Sequence, residues 1–94
     1  MNLQKEFIGI GEVKGFKFTQ IRATNYGFIY LIDTGDTKYY EVFKKVLNHR
    51  FGNISYPKQK AFGRWAWTCG TLERAIDKLN SLEEAENNKE FENK

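Results

Sequence analysis

Tyr39-Tyr40-Glu41-Val42-Phe43-Lys44-Lys45-Val46-Leu47-Asn48-His49-Arg50-Phe51 is the stretch on which the fold turns. Its tyrosine, valine and phenylalanine residues favour a pleated strand. Its periodicity favours a helix. At about 100° per residue, Tyr39, Tyr40, Val42, Phe43, Val46 and Leu47 gather on one side, with Glu41, Lys44, Lys45, Asn48 and His49 opposite. Asp36 or Thr37 can cap the start, and Lys44, Lys45, His49 and Arg50 crowd the end, where the helix dipole favours cations. Gly52 and Asn53 can stop it. The period predicts a helix over 39–51, and a strand is the competing reading.

The flanks are easier to read. Upstream, Glu6 to Val13 reads as a strand weakened by Gly9 and Gly11. Phe16 to Arg22 alternates apolar and polar residues, as a half-buried strand does. Phe28-Ile29-Tyr30-Leu31-Ile32 is an unbroken apolar run suited to a central strand. Thr24-Asn25-Tyr26-Gly27 and Asp33-Thr34-Gly35-Asp36-Thr37 supply the turns. Downstream, Ala61 to Cys69 predicts a fourth strand. Thr71 then caps a helix with the apolar stripe Leu72, Ala75, Ile76, Leu79 and Leu82. The expected order is β-β-β-α-β-α. The expected fold class is α+β, two layers, with an antiparallel sheet of about four strands and two helices on one face.

A chain of 94 residues suits one small domain with a modest core, and its 16% aromatic content compensates for few aliphatic residues. The acidic, Asn-rich end has little apolar surface beyond Glu86. The ordered domain is therefore expected over 1–86, with a disordered tail over 87–94. One cysteine excludes an internal disulfide framework and a cysteine-cluster metal site, which implies a reducing compartment. No apolar run follows Met1-Asn2-Leu3-Gln4-Lys5-Glu6, and none reaches membrane-spanning length. The expectation is a cytoplasmic chain without a membrane partner.

Four patterns suggest chemistry. Leu31-Ile32-Asp33-Thr34-Gly35 resembles the active-site segment of retroviral-type aspartic proteases, a resemblance that implies a homodimer with paired carboxylates. Beyond those residues the chain departs from that family. Ala61-Phe62-Gly63-Arg64 comes too early for the second glycine loop, and a capped helix stands where further strands belong, so a turn is expected instead. Asp36-Thr37-Lys38 and Glu12-Val13-Lys14 each match half of a metal-dependent nuclease site but lack the further acid that would hold the ion. His49 is the only histidine. It could serve Cys69 as a base, yet no motif places a residue to orient the imidazole. No phosphate-binding glycine loop precedes a helix. Neither catalytic residues nor a cofactor are assigned.

The basic residues remain. From Leu82 onward the chain carries five acids and two lysines, which leaves residues 1–81 at +6 against +3 overall. Residues 50–69 hold both tryptophans, the only proline and the only cysteine, with four cations among five aromatic rings. Lys44, Lys45, His49, Arg50, Lys58, Lys60 and Arg64 would neutralise phosphates, and Tyr56 or Phe62 would stack on a base. A solvated helix face explains the same lysines without any ligand. The leading expectation is a small non-enzymatic module binding nucleic acid through this patch. The alternative is a protein-interaction module or small inhibitor anchored by Tyr26, Tyr30 or Trp65.

Overall fold

Strand propensity overrides the helical period in the deciding stretch. The computed structural model describes residues 3, 5–9, 14–48, 53–54, 56–57 and 59–92. Within it, Lys38–Lys44 is a full strand and Leu47–Asn48 a short one. The physical reason lies in burial on both sides. Glu41, Val42 and Phe43 are all buried, because alternate residues enter two different cores. A strand buried on both faces is apolar nearly throughout, and its few polar residues can then mimic a helix's solvent side. Glu41 did so: the residue assigned to that side is an interior carboxylate, 8% exposed.

The strands are β1 (Glu6–Ile8), β2 (Lys17–Ala23), β3 (Gly27–Asp33), β4 (Lys38–Lys44), β5 (Leu47–Asn48), β6 (Asn53–Ile54) and β7 (Ala66–Cys69), and the helix is α1 (Leu72–Glu92). Five of them make an antiparallel sheet ordered β1-β2-β3-β4-β7, while β5 and β6 pair separately. The fold is therefore α+β, with five sheet strands rather than about four and, among the described residues, one α-helix rather than two. The expected strand over 61–69 forms only from Ala66, after a short 3-10 turn at Gln59–Ala61.

The register sorts the side chains. Phe28↔Phe43, Tyr30↔Glu41 and Ile32↔Tyr39 share one face of the β3–β4 pair, and Ile29↔Val42 and Leu31↔Tyr40 share the other. On the second face α1 lies across β3, β4 and β7, packing Ala75, Leu79 and Leu82 on Ile29 and Val42. Thr71 Oγ1 accepts the Arg74 N–H at 3.2 Å, the expected cap. Leu79 is fully buried, whereas Ile76 is half-buried and Leu72, expected in the core, is 37% exposed at the helix's first residue. Lys78 Nζ sits 4.2 Å from the centroid of the Trp67 ring, tying the helix to edge strand β7. The helix continues to Glu92.

Among the described residues, the opposite face is closed by parts of the excursion between β4 and β7 and not by an α-helix. Ile54, Ala61 and Tyr56 from that excursion cover Phe18, Phe28, Tyr30, Ile32 and Phe43, with Phe7 and Trp65 at the margin. The result is a sheet sandwiched between an aliphatic helix and an aromatic strap.

Candidate nucleic-acid interface

Three of the proposed cations, Lys44, Lys45 and Arg64, lie at or next to the end of β4. The Thr24 hydroxyl oxygen accepts the N–H groups of Tyr26 and Gly27, each at 3.1 Å, which fixes the tight turn from β2 into β3. Gly27 must be glycine here: a Cβ would stand against the Phe43 carbonyl oxygen, too close for any side chain. The turn can therefore press on the end of β4, where Gly27 pairs with Lys44. The Lys45 N–H donates to the Tyr26 carbonyl at 2.8 Å, and the Lys44 N–H donates to the Trp65 carbonyl at 2.8 Å. These two bonds draw the Asn25–Tyr26 turn and the Arg64–Trp65 turn to either side of Lys44 and Lys45.

Lys44, Lys45, Lys60 and Arg64 are all exposed. The 3-10 turn carrying Lys60 is joined to the turn at Arg64, whose N–H donates to the Ala61 carbonyl at 3.0 Å. His49, Arg50 and Lys58 lie outside the described residues. Between the Tyr26 turn, the end of β4 and the helix is a cavity of about 120 Å³ lined by Asn25, Tyr26, Lys44, Lys45 and Leu82. Asn25 and Leu82 had no place in the sequence-based site, and Tyr26 figured there only as a protein anchor. What unites them with the lysines is the β3–β4 register, which the helical reading of 39–51 concealed.

Tyr56 does not offer a ring to a base. It stands edge-on to Phe7, Phe18, Tyr30 and Phe43, with centroids 5.4, 5.5, 5.3 and 5.1 Å away. Its hydroxyl donates to Glu41 Oε2 at 2.5 Å. Burial raises the Glu41 carboxyl above its ordinary range, an effect the Tyr56 hydroxyl partly offsets. Burial and the neighbouring Glu41 carboxylate both push the Tyr56 phenol up, so it stays a donor. Of the suggested protein anchors, Tyr30 is fully buried, and half-buried Trp65 packs on Phe43. Phe62, the other ring considered for stacking, is 36% exposed.

The remaining sequence patterns resolve into structure. Asp33-Thr34-Gly35 forms the β3–β4 turn, with Asp33 Oδ1 accepting the Gly35 N–H at 2.9 Å and Thr34 Oγ1 accepting those of Asp36 and Thr37. Its carboxylate and hydroxyl thus serve local turn geometry. Burial raises the Cys69 thiol, partly countered by Lys78 and Arg74, so the thiol form dominates near neutrality. Among the described residues, no group of three or more His, Cys, Asp or Glu could hold a metal, and no helix is long and apolar enough to cross a membrane. No known protein family, curated protein or solved structure matches the chain.

Proposed function

We propose that this chain is a small non-enzymatic module that binds nucleic acid chiefly through its phosphates, using the basic end of the sheet. The observation that carries the reading is the pair of backbone hydrogen bonds at Lys44 and Lys45, which gathers two lysines and Arg64 around the end of one strand. Lys60 extends that surface along the 3-10 turn. Cations held close together on rigid backbone suit a polyanion, and each neutralised phosphate releases counterions. With Tyr56 withdrawn into the core, phosphate contacts carry most of the affinity, and sequence preference is expected to be slight.

The test is binding to labelled oligonucleotides across a salt series. Changing Lys44, Lys45 and Arg64 together to Ala should flatten the slope of log affinity against log salt by about 0.7–0.9 per cation. Circular dichroism should show the fold intact, since all three side chains are exposed. Wild-type binding no tighter than that of an unrelated protein of equal charge would overturn the proposal.

Ile8 and Ile21, 60% and 42% exposed on β1 and β2, favour the second reading, a protein-interaction module. They lie away from the three strands covered by α1. That reading requires affinity nearly independent of salt and sensitive to Ile8→Ser, with the Lys44, Lys45 and Arg64 changes silent.

A further inference from the structure

We infer that the cavity at the end of β4 is a single-nucleotide subsite, taking one unstacked base of a single strand with its phosphate on Lys44 and Lys45. The inference rests on the nucleic-acid reading above and narrows it. Its starting point is where the local donors are committed. The N–H groups of Tyr26 and Gly27 go to the Thr24 hydroxyl, that of Lys44 to Trp65 and that of Lys45 to Tyr26. No ring of converging backbone amides is left from these residues, so the cavity is not built as a cradle for a small free anion. What remains to line it is of mixed character. Its lining residues include the apolar Leu82, 8% exposed, and the half-buried aromatic Tyr26. Asn25, Lys44 and Lys45, all exposed, complete the lining.

That lining suits a ligand with a flat, mostly apolar body and an anionic end. A cavity of about 120 Å³ is well below the roughly 300–1,000 Å³ of ordinary small-molecule sites. It therefore admits one ring system and not a whole dinucleotide or cofactor. A nucleotide meets both conditions. Its base lies against Tyr26 and Leu82, the Asn25 amide reaches a base edge, and the phosphate reaches the lysines. Duplex cannot use the site without unstacking a base, which costs a few kcal/mol in the general case. Single strands, whether DNA or RNA, pay little.

The experiment compares four labelled probes of matched sequence: single-stranded DNA, single-stranded RNA, and the corresponding DNA and RNA duplexes. Each is titrated with wild type, Tyr26→Leu and Tyr26→Phe. Leucine keeps apolar bulk without a π-face, and phenylalanine keeps the ring. Tyr26→Leu should weaken the single strands between about fivefold and a hundredfold, while duplex affinity changes less than twofold. Tyr26→Phe should restore single-strand affinity to near wild type. A difference between the DNA and RNA strands that persists in every variant assigns the sugar preference to contacts outside the cavity. Single strands and duplexes losing affinity equally in Tyr26→Leu, or neither losing it, would overturn the subsite while leaving the phosphate-binding reading intact. Wild type binding none of the four above a charge-matched control would overturn both. Should Tyr26→Leu melt early, Asn25→Ala, at an exposed position, must lower single-strand affinity selectively or the subsite falls.

Discussion

The two faces of the sheet bury comparable cores by different means. On one face a capped helix brings its own backbone hydrogen bonds and lays Ala75, Leu79 and Leu82 on Ile29 and Val42. On the other a largely irregular strap is held by ring contacts centred on Tyr56 and Phe43, with one interior carboxylate bonded to the strap's tyrosine. The helix face is specified locally, by a repeat and a cap adjacent in sequence. The strap face is specified at long range: Glu41 and Tyr56 meet only once β4 is placed beside β3 and the chain has doubled back. The basic residues are divided between the two: Lys60 and Arg64 ride on the strap, whereas Lys44 shares the helix face with Val42 and lines the cavity beside Leu82.

The sharpest way to break this comparison is to remove one large side chain from each core. Phe43→Ala deletes a fully buried ring that touches Phe28, Tyr30, Tyr56 and Trp65. It should cost roughly 3–5 kcal/mol, and Leu79→Ala on the helix face roughly 2–5 kcal/mol. Small domains hold only about 5–15 kcal/mol in total, so both changes should shift the urea midpoint far down. The faces should differ in what is lost first. At intermediate urea Phe43→Ala should free tyrosine fluorescence and strap amides to exchange while helical circular dichroism persists. Simultaneous loss of all signals in both variants would mean that the faces form one cooperative unit.

The Glu41–Tyr56 pair sharpens the comparison by pH. Tyr56→Phe leaves the buried Glu41 without its hydroxyl donor and should cost about 1–3 kcal/mol. Glu41→Gln keeps an acceptor without a charge. The sign follows from the direction of the Glu41 shift. Its folded pKa is raised above the ordinary 4.5, so its protonated form is favoured in the folded chain. That stability is fully present below about pH 4.5 and is lost as pH rises through the raised folded value. Glu41→Gln should therefore gain on wild type between acid and neutral pH, read as a growing difference in urea midpoint. A constant difference from pH 4 to pH 7 would mean that the carboxylate stays well hydrated.

Much of the helix face was legible because its signals are neighbours in sequence. Thr71 before a stripe at Ala75, Leu79 and Leu82 needs no knowledge of the rest of the chain. The three leading strands and their turns were legible for the same reason. The strap face was not, because Glu41 reads as surface in any local window and only its encounter with Tyr56 makes it interior. Misreading 39–51 then hid the site as well. Lys44 and Lys45 were found as cations, but their company with Asn25, Tyr26 and Leu82 follows from the pairing of Gly27 with Lys44, which exists only in a strand. Tyr56 was assigned to a ligand on composition, since an aromatic ring beside lysines looks alike in sequence whether it faces a base or four other rings.

The smallest expected effect concerns the far end of the helix, where local specification outruns the core. Among the described side chains of α1, Leu82 is the last in the buried cluster, and it also lines the cavity with Lys44 and Lys45. The helical backbone continues to Glu92, about 15 Å farther at 1.5 Å per residue. Residues 87–94 hold two acids and two lysines, so removing them leaves the charge balance unchanged. Truncation after Glu86 should therefore shift the melting temperature by no more than a few degrees and leave oligonucleotide affinity within about twofold. Glu83 and Glu84 are different, because they follow Leu82 directly, and Leu82 lines the cavity together with Lys44 and Lys45. Glu83→Gln with Glu84→Gln should raise affinity about two- to fivefold in low salt, an advantage that fades as screening increases. Equal effects from the truncation and the double substitution would show that the helix end acts on the basic surface as a whole and not through the turn next to the cavity.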